Sequence, residues 1–530
     1  MSELTQLEKL FWEGKISRRQ FLARAAALGA TAALLPDCLL PSLARAEPQK
    51  GGRLRVGSSG GSTTDNLDPA TLPATMPQHV FVTMMNNLVE LDPDMQPEPV
   101  LAESMEPSSN ASVWAFKLRK GVEFHNGKSM TSADVLDTLN YHMNEDSKSP
   151  AKSILSGIEE VKADGDHTVI FKLSEGNADF PFLLSGYRMG IFPEGTRGAD
   201  FDKGIGTGPF TLRTYRPGVR YLGTRNPNYF KSGLPHFDEV EIIGISDTNA
   251  RTNALKTGEI DIMNQCDVKT YHLLSRLPGI KELNVAGAMH YTMPMRCDTP
   301  PFDNNDVRLA MKFAADRKQL LDVILRGYGS LGNDHPNPSF NRYYASELPQ
   351  RTYDPDKARF HLKKAGMANE TFTLHAADAA FSGAVDAAVL FAEQASKAGV
   401  KVKVAREPND GYWSNVWMKK PWCMSYWGGR PSEDWFFSLA YAEDASWNET
   451  YWKNEKFNKL LKEARAELDN DKRRAMYVEM QRLIRDQGGA VIPLFINFLH
   501  AASDRLGHNK VASVYEFDNF RISERWWFKS

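Results

Sequence analysis

The chain has 530 residues and a nearly balanced charge, with 64 Lys and Arg against 66 Asp and Glu and a formal net charge of −2 at pH 7. This balance excludes a general electrostatic attraction to nucleic acid or to anionic lipid. The length exceeds what one ordinary hydrophobic core serves, so we expect two or three domains.

The first 46 residues are predicted to be a cleavable signal peptide. Paired arginines at 18–19 precede an apolar stretch over 25–35, and Ala-Arg-Ala at 44–46 carries small residues where a signal peptidase cleaves. The paired arginines are typical of a twin-arginine (Tat) signal, and the apolar run is shorter than the roughly 20 residues of a membrane span. The alternative is an amphipathic N-terminal helix. We therefore expect a periplasmic protein, soluble after cleavage near Ala46.

Three cysteines follow the predicted signal: Cys266, Cys297 and Cys423. They are too few for a disulfide scaffold, although the periplasm permits disulfides. One bridge between Cys297 and Cys423 and three buried free thiols remain alternatives. No cluster of His, Cys or Met indicates a metal, and we expect no cofactor.

The first half of the chain predicts strands interrupted by helices. The loop over 58–64 is rich in Gly, Ser and Thr, and follows the first strand. Alternating apolar residues, helical spacing and turn residues give the elements. The strands are predicted at 51–57, 113–124, 168–173, 206–212 and 240–243, and the helices at 79–92, from Ser132 onward, and at 248–257.

The second half predicts a strand at 290–297, an amphipathic helix with Val307 and Met311 on one face, and a β-α-β unit over 371–405. Two further amphipathic helices carry apolar stripes that begin at Phe457 and Met476. Strands that alternate with helices indicate an α/β fold with a mixed or parallel sheet.

Several segments resemble, in order and with compatible spacing, extracellular solute-binding protein family 5, the dipeptide, oligopeptide and nickel binders of ABC importers. A single such motif would be weak, whereas the ordered set is specific. The matching segments lie at 51–56, 114–127, 131–135, 206–210, 255–262, 301–308 and 353–358.

The resemblance implies a two-lobed periplasmic binding protein fold (class II type) with an extra subdomain, hinged by crossover strands at 291–298 and about 494–502. The first lobe would comprise 47–295 plus 500–530, including an inserted subdomain at about 85–200, and the second lobe 296–499. A small-molecule or peptide ligand would be enclosed between them. Its partners would be ABC permease subunits with a separate ATPase, since this chain has no G-x-x-x-x-G-K-[ST] motif. We expect a monomer.

The segment over 424–435 is the leading candidate for ligand recognition. Peptide-binding relatives have a similar tryptophan followed three positions later by an aspartate that pairs with the ligand's α-amine; Trp427 matches the tryptophan, but Arg430 stands in place of the aspartate. Arginine is a bidentate donor to carboxylate or phosphate and cannot accept from an amine. Either Asp434 or Glu433 reads the amine, or the ligand lacks one, as in an acylated peptide, an opine-like conjugate or an anionic sugar derivative. Alternatively, Arg430 forms a structural salt bridge with Glu433 or Asp434.

The remaining candidate ligand residues are Tyr426, Gly429, Trp413, Ser59 and Met295. Aromatic rings suit stacking on peptide planes or sugar faces, the Ser59 loop offers donors, and the Met295 strand offers backbone groups. The structural alternatives are core packing for the tryptophans and a solvated turn for the loop.

We therefore predict a non-catalytic receptor that captures a peptide or peptide-sized solute. A receptor for an opine-like or sugar conjugate is the alternative within binding proteins. An exported hydrolase is the alternative from another class, but the sequence contains neither H-E-x-x-H nor G-x-S-x-G.

Overall fold

The computed structural model describes residues 48–530. The predicted signal peptide at 1–46 lies outside the described residues. The main compact unit is Lys50–Phe528, and it contains the candidate site. The described part of the other unit consists of residues 48–49, an extended pair, and residues 529–530.

Strands occur along the whole described chain. They are β1 (Pro48–Gln49), β2 (Arg53–Ser58), β3 (Val89–Leu91), β4 (Pro97–Pro99), β5 (Ala102–Pro107), β6 (Val113–Leu118), β7 (Ile158–Ala163), β8 (Thr168–Leu173), β9 (Phe210–Arg216), β10 (Arg220–Arg225), β11 (Glu239–Gly244), β12 (Ile262–Met263), β13 (Ile280–Pro294), β14 (Gly329–Leu331), β15 (Thr371–Ala376), β16 (Lys401–Arg406), β17 (Ser425–Trp427), β18 (Ala490–Ser503), β19 (Leu506–Gly507) and β20 (Trp527–Lys529).

Helices lie between these strands. They are α1 (Thr75–Met84), α2 (Ser132–Met143), α3 (Ala151–Ile154), α4 (Phe180–Leu183), α5 (Thr248–Thr257), α6 (Asn305–Phe313), α7 (Arg317–Ile324), α8 (Pro355–Lys364), α9 (Ala384–Lys397), α10 (Tyr412–Asn415), α11 (Glu433–Ala440), α12 (Glu455–Ala466), α13 (Asn470–Gln487) and α14 (Ile522–Arg525), with 3₁₀ turns at Gly198–Lys203 and Tyr271–Arg276. The segment Glu516–Phe520 is a left-handed turn, because φ is positive from Phe517 to Phe520.

A large mixed sheet runs in the order β17-β13-β18-β12-β2-β11-β10-β9, with β14 also paired to β18. Strands β11 and β12 lie parallel to β2, and the other pairs are antiparallel. A separate antiparallel sheet, β5-β6-β8-β7, lies within the predicted inserted subdomain. The two smallest sheets inside the main unit are β15-β16 and β3-β4.

The antiparallel pair β13 and β18 connects distant parts of the large sheet. Residues 280–286 pair with 497–503, beside β12, and residues 290–294 pair with 490–495, beside β17. The register shifts between Ala286 and His290. These strands overlap the predicted crossover strands, and the irregular stretch over 287–289 lies just before the hinge strand predicted at 291–298.

Separate hydrophobic cores lie on the two sides of this irregularity. One contains Leu54 and Val56 of β2 together with residues from the C-terminal end of the chain. Another contains Phe372 and Trp422 and extends from residue 291 to residue 494. The inserted antiparallel sheet has its own core around Phe116. The predicted lobe boundaries remain a prediction.

Most predicted elements are confirmed, including the β-α-β unit as β15-α9-β16 with a parallel strand pair. The helix predicted at 79–92 is wrong at its C-terminal end. Helix α1 ends at Met84, and Val89–Leu91 forms strand β3, paired with β4. The strand predicted at 113–124 ends at Leu118, and a turn at Gly121 follows with φ of 73°.

Candidate ligand-binding site

The loop over 428–430 lies on the irregular part of the crossover strands. It leaves β17, in which Tyr426 and Trp427 pair with Tyr291 and His290 of β13. A Cβ added to Gly429 would approach the Cβ of Ala288 to 2.5 Å, so only glycine allows this close contact. The loop therefore meets β13 within its register shift.

Arg430 carries a positive charge for which residues 48–530 supply no counterion. Its Nη1 donates to the carbonyls of Gly428 and Gly429, both at 3.0 Å, and the described residues provide no acceptor for the other guanidinium nitrogens. No carboxylate among residues 48–530 lies within salt-bridge distance of it. Burial lowers the pKa of Arg430, and Tyr515 and Tyr187 partly oppose this effect. A half-buried, unneutralised guanidinium is suited to bind an anion.

The two carboxylates considered as partners of Arg430 are engaged elsewhere. Glu433 accepts from the backbone N–H of Tyr343 at 2.8 Å. Asp434 pairs with Arg465, whose Nε lies 3.1 Å from Oδ1. The structural salt bridge considered for Arg430 is therefore not formed. Since the carboxylate of Asp434 already has a cationic partner, we leave Asp434 out of the proposed ligand surface.

Arg188 is a second guanidinium without a carboxylate partner among the described residues. Arg188 donates to the carbonyls of Pro69 and Leu72 and stacks over the ring of Tyr187 at 5.0 Å. The rings of Tyr187 and Tyr515 meet edge to face at 5.2 Å. Burial raises the pKa of Tyr515, whereas Arg430 and Arg188 both lower it. Both arginines thus lie close enough to Tyr515 to act on its charge, and we call Arg188, Tyr187, Tyr515 and Arg430 the arginine-tyrosine cluster.

Five aromatic side chains form a continuous group beside this loop. Successive ring centroids are separated by 5.8 to 6.4 Å in the order Tyr426, Trp413, Trp417, Trp447 and Trp427. The three most exposed of them, which we call the aromatic patch, are Trp413, Tyr426 and Trp447, with 41%, 39% and 46% of their area exposed. Tyr426 and Trp413 thus offer stacking surface, while Trp427 lies buried behind the patch.

Beneath the aromatic patch lies the buried carboxylate of Glu449. It accepts from Nε1 of Trp417 at 2.6 Å, Nε1 of Trp427 at 2.8 Å and Oγ1 of Thr292 at 3.1 Å. Burial raises the pKa of Glu449, and the indole and hydroxyl donors lower it. No Lys, Arg or His in the described part of the chain forms an ion pair with it.

Ser59 and Met295 lie in the scaffold rather than on an open surface. The Ser59 N–H donates to Oδ1 of Asn264, and the Asn264 amide donates back to the Ser59 hydroxyl at 2.9 Å. Met295 has no exposed area, and its N–H donates to the carbonyl of Gly489. Since these groups are already paired, we leave both residues out of the proposed ligand surface.

Sequence reasoning missed Tyr187, Arg188, Tyr515, Trp447 and Glu449. Trp447 carried a usable signal, because a tryptophan in a polar loop is uncommon unless it contacts a ligand or a partner. Glu449 looks like a solvated turn residue in the sequence. Only the folded chain brings it beneath Trp417 and Trp427.

The structure of the described residues also bears on disulfides, metal sites and membrane spans. Cys266, Cys297 and Cys423 are free thiols, so the Cys297–Cys423 bridge is not formed. Within residues 48–530, no group of three or more His, Cys, Asp or Glu is placed to hold a metal ion. No helix in that range is both long and apolar enough to cross a bilayer.

Comparison with known proteins identifies the family. The family model for bacterial extracellular solute-binding proteins, family 5 Middle, matches residues 96–449. The oligopeptide-binding protein AppA of Bacillus subtilis is 26% identical over 524 residues, which cover 91% of this chain and 92% of AppA.

Two solved structures share the fold. AgaA from A. tumefaciens R10, solved with agropinic acid, has a TM-score of 0.73 and 24% identity over 90% of this chain and 99% of AgaA. DppA from Helicobacter pylori, solved with the peptide STSA, has a TM-score of 0.72 and 22% identity over 91% of this chain and 99% of DppA. These likenesses confirm the predicted mixed α/β, two-lobed fold class. The chain belongs to the bacterial extracellular solute-binding proteins of family 5, the solute-binding components of ABC importers.

Proposed function

We propose that this protein captures a peptide-sized solute bearing a carboxylate or phosphate and holds that anion between Arg430 and Arg188. The observation that carries the proposal is the pair of half-buried guanidinium groups near Tyr187 and Tyr515 that have no carboxylate partner among residues 48–530. Charge-assisted hydrogen bonds to an anion would supply the acceptors that the described protein groups do not.

Two ligand classes fit this charge pattern. AppA is an oligopeptide-binding protein and DppA was solved with a peptide, which supports a peptide. AgaA was solved with agropinic acid, which supports an opine-like conjugate as the second candidate. Arg430 at the position of the amine-binding aspartate favours a solute without a free α-amine there, such as an acylated peptide or a conjugate.

Capture would proceed by closure of two lobes about the crossover strands. In the predicted division, Arg188 belongs to the first lobe and Arg430 to the second. An anion that contacts both guanidiniums stabilises the closed state, because it interacts with both lobes only when they are together. The irregular stretch over 287–289 would absorb the bending.

The proposed function also includes export of the protein and delivery of its solute to a transporter. The signal peptide at 1–46 would export the chain, by the twin-arginine route, to the periplasm. There the mature protein acts as a monomer and delivers its solute to permease subunits driven by a separate ATPase. It makes and breaks no covalent bond, in keeping with a family and relatives that are binding proteins.

The test is to identify the solute that accompanies the protein. Native mass spectrometry of protein purified from its host should show a bound species of peptide size that carries an anionic group. The released compound should rebind in calorimetry and be recovered unchanged. A purely cationic or apolar solute would contradict the anion-binding role, and conversion of the solute by the isolated protein would support the hydrolase alternative.

A further inference from the structure

The carboxylate of Glu449 has no cationic partner among the described residues, and each of its two oxygens accepts an indole N–H, as an ionised carboxylate does. Three neutral donors hydrogen-bond to it at 2.6 to 3.1 Å, so its geometry is fixed. Hydrogen bonds from neutral donors stabilise a charge without neutralising it, and a charge away from water acts over a longer range than one at the surface. The potential above Trp417 and Trp427 is therefore favourable for a cation.

The aromatic patch covers this charge with surfaces that also attract cations. The faces of tryptophan and tyrosine rings bind ammonium and guanidinium groups, and tryptophan binds them best. Trp413, Tyr426 and Trp447 each keep more than a third of their area exposed although they lie together. Exposed large aromatic side chains in one contiguous group indicate a binding surface.

The patch lies within reach of the anion-binding loop. Trp427, which donates to Glu449, is three residues from Arg430, a separation that extended chain spans in about 10 Å. A single peptide-sized solute can therefore contact both places, with opposite charges at its two contact points.

We propose that Glu449 and the aromatic patch form a subsite for a guanidinium or ammonium group of the captured solute. The inference rests on the proposed function and narrows the ligand to a zwitterionic one, with its anion at the arginine-tyrosine cluster and its cation over Trp413 and Trp447. The competing role for Glu449 is to orient the two indoles only, in which case the charge of the ligand at this point is immaterial.

The experiment compares two probes that differ in this charge alone. N-acetyl-Ala-Arg-Ala carries a guanidinium, and N-acetyl-Ala-citrulline-Ala carries a neutral urea of nearly the same shape. We expect wild-type protein to bind the arginine peptide about tenfold more tightly. Glu449→Gln and Trp447→Ala should each abolish the preference while the affinity for the citrulline peptide stays within about twofold. Phe360→Ala, which removes an exposed ring on α8, is the control and should retain the preference for the arginine peptide.

A second measurement examines the subsite without the rest of the ligand. N-acetyl-L-argininamide, whose only charge is the guanidinium, should shift the indole N–H NMR signals of Trp447 and Trp413 in wild-type protein, and the uncharged N-acetyl-L-citrullinamide should not. Because Trp447→Ala truncates an exposed residue, it remains informative even if Glu449→Gln fails to fold.

The outcomes separate the two proposals. Equal affinity for both peptides, a preference that survives in Glu449→Gln, or indole shifts that do not depend on charge would overturn the cationic subsite and leave the solute-binding function standing. If neither peptide binds, charge-dependent indole shifts support the subsite and their absence overturns it. The anion-binding role of Arg430 fails separately, if bound solutes carry no anionic group.

Discussion

Arg473, which is buried, and Arg430, which is half-buried, show how the partners of an arginine distinguish a structural role from a binding role. Arg473 is buried against Asp179 at 2.8 Å and also donates to the carbonyl of Ala464. Arg430 donates only to the carbonyls of its own loop. The first side chain is therefore needed by the fold, whereas the second is available to a ligand.

This contrast predicts opposite effects of the same substitution. Arg430→Gln should weaken binding of an anionic solute by about 1.5–3 kcal/mol, the scale of a charge-assisted hydrogen bond, with little change in Tm. Arg473→Gln should leave Asp179 buried and unpaired and cost about 3–5 kcal/mol of stability. Calorimetric titration and thermal denaturation of both variants measure the two quantities. A large fall in Tm for Arg430→Gln with unchanged affinity would place Arg430 in the scaffold.

For individual residues, the sequence alone indicated only part of the candidate site. Trp427, Tyr426, Trp413 and Arg430 lie in neighbouring segments, so local motifs could indicate them. Glu449 and Tyr515 reach the same region from elsewhere in the chain. No local sequence pattern predicts that these residues lie together, because their proximity depends on tertiary packing.

At the scale of secondary-structure elements, the loop over 428–430 packs directly against crossover strand β13. Gly429 contacts Ala288 inside the register shift of β13, so movement of the strand is transmitted directly to the loop that carries Arg430. The neighbouring Gly428 has no such contact, since a Cβ there would meet only the Arg430 side chain at 3.6 Å. The two glycines therefore provide a matched pair.

Gly429→Ala should push the loop off β13 and misplace Arg430, whereas Gly428→Ala should be tolerated. Overpacking of this kind costs about 1–3 kcal/mol, and we expect it to appear as lost affinity for an anionic solute. Calorimetry on the two variants gives the comparison. Equal affinities would show that the contact with Ala288 does not position the loop.

The elements also show where local sequence patterns suffice. The β-α-β unit was predictable because each piece alternates or repeats within its own span, and β15, α9 and β16 match it closely. The helix predicted at 79–92 failed because Val80, Met84 and Leu88 satisfy helical spacing although the chain turns after Met84. Pairing of β3 with β4, a tertiary contact, overrides the local periodicity.

For the molecule as a whole, buried histidines make stability depend on pH. Burial lowers the pKa of His79 and His335 to about 3, and of His142, His290 and His500 to about 4. These side chains stay neutral in the folded protein while the unfolded chain takes up protons below pH 6.5. Stability is therefore lost as the pH falls from 6.5 towards 4. Burial raises the pKa of Glu433 to about 7 and also raises the pKa of Asp434, Glu449 and Glu516, and these carboxyls work in the opposite direction.

Acidification from pH 7 to pH 5 should therefore lower the free energy of unfolding, by about 2 kcal/mol for each such histidine. His79→Leu should reduce this loss of unfolding free energy by about 2 kcal/mol, the contribution of one histidine. Both ring nitrogens of His79 lack hydrogen-bond partners and the ring lies beside Phe517 at 5.0 Å, so an apolar side chain suits the site. Urea denaturation at the two pH values measures the difference. An identical pH dependence in wild type and His79→Leu would show that this ring does not remain neutral in the fold.

The core around β2 joins both ends of the main unit. Leu54 and Val56 share it with Phe517, Phe520 and Phe528, and β18 pairs with β12 beside β2. A nascent chain makes these C-terminal partners several hundred residues after β2, so the core can be completed only when translation is almost finished. A polypeptide that terminates before Leu506 would consequently lack the aromatic side chains that this core receives from its C-terminal end, and the apolar surface they bury would be accessible to proteases.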